Sequence, residues 1–546
     1  MKTIKLILHH ALCILHIITS SISLCEQTDS ELLPKNEQEI LVDSYLTLSE
    51  ELQTKKEYKT ALIYLKEAAR LRPSDPSLTS AASLLLAKLD PKDAAFNIAN
   101  SQTVEPMPNE QDSLADMYIA TANSLRESQN HAQAILYTKE ALRIRPDNAH
   151  LMFDLANTLN MANENDESLF WYYKLLDKFP TNKTILYNTA YTLKKINRVD
   201  EAMVFYNASL EQDPEYAEAR FSRGLAYLTI GDWDRGWPEY EYRWKRPGYP
   251  PQRTLSEPML DKDADLNGKI VYLYAEQGLG DTFQFIRYAR ILKNKGARVV
   301  VSVQNPLLSI IALCPYIDKV IAMNQQPVKY DYQAPLMTLP YILKTTVETT
   351  PNVIPYLYAS ASLEHEWKQK LSHEKRVKIG ICWQGNANYR TAALRSVVAA
   401  KSIPAVKFAK LCQVPHIKLY SLQKETGVDQ AAALPPEIHI FDDSFDSTNG
   451  RFMDTAAVLK NMDLFITVDT SMAHLAAGLG IETWVFLPEP ADWRWMLYTA
   501  KTPWYPNMRL FRQETAGNWD QVFETIKQEL VRFVEQKTGS SLNNGE

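Results

Sequence analysis

The sequence predicts an α-solenoid of 34-residue helical hairpins followed by an α/β region built as two parallel-sheet halves. Three observations point there. Pro146, Pro180 and Pro214 recur at 34-residue intervals, with small residues at fixed offsets before them. After Gly231 the helical period gives way to short β-branched runs that alternate with helical stretches. Those runs fall into two series, at 266–350 and 358–515.

Length and composition set the outer limits. The 546 residues are 45% hydrophobic and 23% charged, enough for two to four domains with ordinary cores. That balance excludes a collagen, a mostly disordered chain and a disulfide scaffold. The five cysteines include two in the N-terminal leader, and Cys314, Cys382 and Cys412 lack the CxxC spacing of a zinc knuckle. A net charge of −6 argues against nucleic acid as a partner. Proline outnumbers glycine, 29 to 17.

Residues 1–25 combine Lys2 and Lys5 with a long apolar run, and Ser21 and Ser23 stand at signal-peptidase spacing. The segment reads as a signal peptide or an uncleaved anchor. His9, His10 and His16 interrupt the apolar run, and a lipoprotein box ending at Cys25 would have the bulky Leu24 where a small residue is preferred. No other segment is long and apolar enough to cross a membrane, so membrane contact is expected through the leader only.

The repeats follow. Twelve residues before the three prolines stand Ala134, Ser168 and Ala202, and eight before stand Thr138, Tyr172 and Tyr206. Twenty-four before stand Ala122, Ala156 and Ala190. Pro73 has Ala61, Leu65 and Ala68 in the same frame. Small side chains let two helix backbones approach, a large residue four positions on fills the adjacent groove, and proline ends the second helix. This is the tetratricopeptide (TPR) pattern. Repeats are predicted at 42–75, 115–148, 149–182 and 183–216, with a partial unit at 217–245 that carries Gly224 and Tyr227 at the small and aromatic positions. Residues 76–114 read as a degenerate helix at 78–89 and a loop. Such an array is either a helical spacer or a concave groove for a protein or peptide partner.

A proline-rich linker (Pro247, Pro250, Pro251, Pro258) leads into the α/β region. The first half, 266–350, is predicted to hold strands at 270–275, 298–303 and 319–322 and helices at 281–292 and 306–313. The second, 358–536, is predicted to hold strands at 377–383, 417–422, 463–468 and 483–487, with a final helix near 519–536. The alternation implies parallel sheets covered by helices on both faces, two Rossmann-like halves with a cleft between them. Such sheets bind ligands beyond the C-terminal ends of their strands.

Candidate residues therefore follow the strands. After 270–275 come Gln277, Gly278, Gly280 and Asp281; the glycines allow a tight turn and close approach of a ligand, and Asp281 serves either as a general base or as a helix cap. After 463–468 come Asp469, Thr470, Ser471 and His474, where helix-start N–H groups and hydroxyls suit a diphosphate. Thr470 and His474, four apart, share a helix face; the bland alternative is a capped helix with a core histidine. After 377–383 comes Gln384, then Arg390, Arg395 and Lys401, cations for a phosphate leaving group or a solvated basic loop. Lys424 follows strand 417–422 as a second polar edge, and 492–495 (Asp-Trp-Arg-Trp) is either a packed corner or a binding wall. There is no GxSxG, P-loop or HExxH, and Asp261, Asp263 and Asp265 lack the glycine and glutamate of a calcium loop.

These motifs in order resemble bacterial proteins that fuse tetratricopeptide repeats to a family 9, heptosyltransferase-like glycosyltransferase domain. They are Gly231-Asp232-Trp233 with Gly236-Trp237 and Tyr240-Glu241; Glu276-Gln277-Gly278-Leu279-Gly280-Asp281; Ser421-Leu422-Gln423-Lys424; Val468-Asp469-Thr470 before Ala473-His474-Leu475; Asp492-Trp493-Arg494-Trp495; and Trp504-Tyr505-Pro506. The resemblance spans about 40–536. It implies a GT-B fold whose first half takes the acceptor and whose second takes the nucleotide sugar. It further implies Asp281 as base, Asp469, Thr470 and His474 as donor diphosphate ligands, and Lys401 at the leaving phosphate. The stretch 391–400 is longer and less arginine-rich than is usual in that family. The animal and plant protein O-GlcNAc transferases share the plan with poorer motif agreement.

Two functions follow as expectations. One is a metal-independent glycosyltransferase that needs no cofactor beyond a nucleotide-sugar co-substrate, with the repeats binding a protein partner or acceptor. The other is a non-catalytic TPR scaffold with a degenerate transferase-like domain. The leader sharpens the rivalry, because nucleotide sugars are cytosolic in bacteria and an exported domain would lack its donor.

Overall fold

The fold is described from a computed structural model, which covers residues 35–85 except 57, 73, 74, 76, 79, 80, 83 and 84; then 108–323, 325, 327, 329–388 and 392–539. The leader, Pro73, most of the degenerate helix at 78–89 and Arg390 lie outside these. Among the described residues no helix is long and apolar enough to cross a membrane. The chain divides into two compact units, 1–179 and 180–546.

The first unit is made of helical hairpins. Helix Lys35–Thr54 pairs with Tyr58–Leu71, Pro108–Glu127 with His131–Ile144, and Ala149–Met161 with Asn165–Lys178. Ala61, Ala122, Ala134 and Ala156 are buried where helices cross. Ser168 donates from Oγ to the Ala156 carbonyl at 2.8 Å, tying one hairpin by a side chain. Asn148 starts a repeat by accepting from the His150 and Leu151 amides. Glu67, almost fully buried, pairs with Arg70 at 2.8 Å and Arg143 at 3.4 Å, so the charge is not left alone in the core.

The second unit opens with the pairs Lys183–Lys195 with Val199–Gln212 and Ala217–Ile230 with Trp233–Tyr240. Gly224 is where the last pair crosses: a Cβ there would stand 2.9 Å from the Tyr240 nitrogen, so only glycine admits this approach.

Two all-parallel sheets follow. The first has strands β1 (Ile270–Tyr274), β2 (Arg298–Val303), β3 (Lys319–Ala322) and β4 (Tyr332–Pro335) in the order β3-β2-β1-β4. The second has β5 (Val377–Cys382), β6 (Ile417–Ser421), β7 (Ile438–Ile440), β8 (Leu464–Val468), β9 (Thr483–Leu487) and β10 (Met508–Arg512) in the order β10-β9-β8-β5-β6-β7. Central strands β1, β5, β8 and β9 are almost wholly buried, as β-branched runs covered on both faces require. Strand order reverses between β1 and β4 and between β5 and β8, and a crevice opens at such a switch point.

Several expectations change. The predicted helix at 281–292 is two helices, Leu279–Phe285 and Arg287–Asn294, because side chains take two of its carbonyls: Tyr356 Oη donates to Phe283 at 2.8 Å and Arg287 Nε to Gln284 at 2.7 Å. The helix at 306–313 shrinks to a 3₁₀ turn, Asn305–Leu307, and one α-turn, Leu308–Ile311; Pro315 lies ahead and bars continuation. Strands β4, β7 and β10 were not expected. All three are sheet edges; β4 and β10 hold no β-branched residue and β7 is only three residues long, so no strand signal marks them.

Apolar side chains of the last repeat pair and of both halves merge into one core. Trp233 stacks on Trp504 with centroids 5.0 Å apart, and Trp237 meets Trp493 edge-on at 5.4 Å. Trp237 Nε1 donates to the Thr345 carbonyl at 2.9 Å. The helix Trp233–Tyr240 thus touches the first half through Thr345 and the second through Trp493 and Trp504. The second half has its own layer, in which helix Asp520–Thr538 buries Phe523, Ile526 and Leu530 against the outer sheet face.

Candidate functional site

A cavity of about 650 Å³ lies between the two halves, at the C-terminal ends of β1, β5, β6 and β8. Gln277, Gly278, Gly280, Asp281, Gln384, Lys401, Lys424, Asp469, Thr470, Ser471 and His474 all line it. These side chains come from strand-end loops 277 to 474 in the sequence, and the topology gathers them because parallel strands deliver their C-terminal ends to one edge of each sheet. Arg395 is exposed and does not line the cavity.

Asp281 stands in the first turn of helix Leu279–Phe285. Its Oδ2 accepts from the Gly278 amide at 2.8 Å, and its Oδ1 from an Arg494 nitrogen at 2.5 Å. Burial pushes its carboxyl up from the usual range, while Arg494 and the Gly278 amide pull the other way. The cap and the cleft position therefore coexist in one side chain.

Arg494 is 8% exposed, and each of its three guanidinium nitrogens donates one hydrogen bond. Besides Asp281 it holds Asp492 at 2.9 Å and donates from Nε to Gln284 Oε1 at 2.7 Å, with its guanidinium over the Trp493 ring at 4.4 Å. Burial alone would raise the Asp492 carboxyl, but Arg494 and Lys401 outweigh it and hold it down at about 2. Beyond Asp492 lies Lys194 of the repeat helix Lys183–Lys195, whose ammonium burial disfavours and Asp492 favours.

Across the cavity, Lys401 ends helix Ala392–Lys401 and its Nζ lies 2.6 Å from Asp469 Oδ2. Burial lowers the Lys401 pKa, but Asp469 and Asp492 more than restore it, so the ammonium stays charged. Thr470 caps helix Ser471–Gly478 by accepting from the Met472 amide at 3.2 Å, and the remaining helix-start N–H groups give the wall a partial positive charge.

His474 is 4% exposed. Its ring stacks on Trp495 at 5.4 Å, and Nδ1 is 2.8 Å from the Tyr505 hydroxyl. Burial, then the nearby Arg494 and Arg287 charges, lower its pKa well below 6.5, so the ring is neutral at pH 7. Thr470 caps its own helix, His474 packs against Trp495 and Tyr505, and both line the cavity. Gly280 has an ordinary φ. Its need for glycine is contact with the protein itself: a Cβ would sit 3.0 Å from His474 Cδ2 and 3.3 Å from Ser471 Cα. That close contact is with the facing helix, and Gly280 also lines the cavity.

The loops after β5 and β6 are braced by Gln423. Its Oε1 accepts from the Trp383 and Gln384 amides at 3.0 and 3.1 Å, and its Nε2 donates to the Gln384 and Thr426 carbonyls at 2.9 and 2.7 Å. Gln384 Oε1 accepts from Gln430 at 2.8 Å. Lys424 is exposed at the rim, its Nζ 5.6 Å from the Phe445 ring centroid. Gln277 donates to the Tyr240 and Tyr249 hydroxyls at 3.1 and 2.9 Å, which turns it toward the linker. Arg451, paired with Glu425 at 2.8 Å, also lines the cavity and was not expected. A lone arginine in a polar loop carries no signal that separates it from a solvated one. Arg494 and Asp492 combine the two readings of their motif: the tryptophans pack and the charges face the cleft.

Comparisons with known proteins bear on both parts. Tetratricopeptide repeat models match residues 42–75, 119–183 and 187–250. Protein FlbA of Caulobacter vibrioides is 22% identical over 347 residues, which are 58% of this chain. The chain spans 56% of that relative's length. Among solved structures, a family 9 glycosyl transferase from Veillonella parvula aligns at 10% identity with a TM-score of 0.38, covering 52% of this chain and 100% of that one. The ADP-heptose lps heptosyltransferase II of E. coli aligns at 12% identity and 0.35, covering 49% and 99%. A tetratricopeptide repeat protein from Parabacteroides merdae aligns at 23% identity and 0.23, covering 24% and 52%.

Proposed function

We propose that this chain is a glycosyltransferase that moves a sugar from a nucleotide-sugar donor to an acceptor hydroxyl. The observation that supports it is the polarity of the cleft. A carboxylate, Asp281, stands on the wall from the first half. A lysine, Lys401, ion-paired with Asp469, and the start of helix Ser471–Gly478 stand on the wall from the second. The second wall suits a diphosphate, because fixed N–H dipoles and an ammonium stabilise negative charge that grows as the leaving group departs. The first wall suits an acceptor, because a partly buried carboxylate with a raised pKa is a better proton acceptor than a solvated one.

In this reading Asp281 takes the proton of the acceptor hydroxyl as its oxygen forms a bond to the anomeric carbon. The bond from that carbon to the phosphate oxygen breaks, and the nucleoside diphosphate leaves against Lys401 and the Thr470–Ser471 helix start. His474, neutral and buried, keeps the two walls in register rather than carrying charge. The reaction draws on no metal, so EDTA leaves turnover unchanged. The repeats recruit a protein partner or present the acceptor.

The test is nucleoside diphosphate release by the purified full chain over a panel of nucleotide sugars. Release that is lost in Asp281→Ala and in Lys401→Ala supports the assignment; full turnover in both refutes it. A second reading, a non-catalytic scaffold, is favoured by one observation: both Asp281 oxygens are already engaged. It predicts no thermal stabilisation by any nucleoside diphosphate or nucleotide sugar.

A further inference from the structure

We infer that Arg494 is the positioning residue for Asp281, reaching from the second half to orient the one ionisable side chain that the first half contributes to the cleft lining among the described residues. The inference rests on the transferase reading and adds a residue to it.

The geometry carries the argument. Arg494 uses three donors in three directions: to Asp281 at 2.5 Å, Asp492 at 2.9 Å and Gln284 at 2.7 Å. Asp281 and Gln284 lie on the helix Leu279–Phe285 of the first half, one turn apart, and Asp492 lies on the loop that carries Arg494. The guanidinium is thus fixed against its own loop and against the helix at once. A planar fork can do this and a lysine ammonium cannot. Packing over Trp493 leaves it little other freedom.

Stability alone is a poor reason for the arrangement, since a buried charge cluster of this kind gains little over apolar residues of the same volume. The cluster instead fixes the plane of one carboxylate. Oδ2 is held by the Gly278 amide and Oδ1 by Arg494, so the remaining lone pairs of Asp281 have a set direction. A base with a set direction meets an acceptor proton without reorganisation.

The charged and titratable groups around Asp281 are Arg494, Asp492, Lys401 and Glu276, with Tyr240 behind and neutral His474 facing Gly280. Arg494 is the nearest cation. Its removal leaves Asp281 with burial and the carboxylates unopposed at that side, which favours the protonated acid.

The experiment compares the full-length wild type with Arg494→Gln and Arg494→Lys in nucleoside diphosphate release as a function of pH, in nucleoside diphosphate binding, and by crystallography. Arg494→Gln is expected to lower kcat by about 100-fold. It moves the acid limb of the profile to higher pH by about one unit and leaves nucleoside diphosphate affinity within about threefold. Arg494→Lys lowers kcat with a smaller move of the limb, because charge is kept and the fork is lost. In the Arg494→Gln crystal the Asp281 carboxylate is rotated out of its present plane. An unmoved acid limb, or an Asp281 that keeps its plane in that crystal, overturns the inference. If the wild type releases no nucleoside diphosphate from any donor, the transferase reading fails alone, and the crystal still decides whether Arg494 positions Asp281.

Discussion

Gly280→Ala adds one methyl group where the two halves meet. The new Cβ would stand 3.0 Å from His474 Cδ2 and 3.3 Å from Ser471 Cα, against an ordinary contact of 3.4–4 Å. His474 cannot give way: its ring is stacked on Trp495 and bonded to Tyr505, and the Ser471 contact is backbone. The helices Leu279–Phe285 and Ser471–Gly478 must therefore separate by several tenths of an ångström. Overpacking of this kind costs about 1–3 kcal/mol. The same separation draws Asp281 away from the diphosphate wall, and misplacement on the scale of 1 Å lowers rate by up to about 100-fold. The matched control is Gly385→Ala, whose Cβ would meet Thr470 Cγ2 at 3.4 Å, an ordinary contact. Denaturant melts followed by tryptophan fluorescence, with turnover measured alongside, separate the two variants. A Gly280→Ala chain as stable and as active as Gly385→Ala would refute the close contact between the halves and the argument built on it.

Other outcomes follow from the same geometry. His474 has its folded pKa below the 6.5 of the free side chain, so the unfolded chain binds a proton first and stability is lost as pH falls below about 6.5; His474→Gln flattens that slope in melts between pH 7.5 and 5. Lys401→Ala leaves Asp469 buried without its cation and costs roughly 2–4 kcal/mol, the low end reflecting a lysine that is 23% exposed; nucleoside diphosphate affinity measured by calorimetry drops with it. Trp233→Ala removes the stack on Trp504 from a site 1% exposed and costs about 3–5 kcal/mol, read as a lower denaturant midpoint of the α/β halves.

Much of this molecule is written in short-range spacing. The repeats are legible because a proline every 34 residues and alanines at fixed offsets encode helix ends and crossings within one hairpin. Strands β1, β2, β3, β5, β6, β8 and β9 are legible through their β-branched and aromatic residues, whereas β4 and β10 hold no β-branched residue and β7 is only three residues long. Strand-end motifs are legible because the loops after β1, β5, β6 and β8, the strands at and beside the two switch points, reach the cleft.

What the sequence by itself determined is the order of helical hairpins and parallel strands, and with it the set of loops that reach one cavity. Tertiary structure alone decided how each loop residue is used there. Asp281 meets Arg494 from 213 positions away, Gly280 yields its space to His474, and Gln423 braces two loops. Hydrogen bonds and van der Waals contacts act over a few ångströms in space. No spacing rule along the chain can carry them once the partners lie on separate halves.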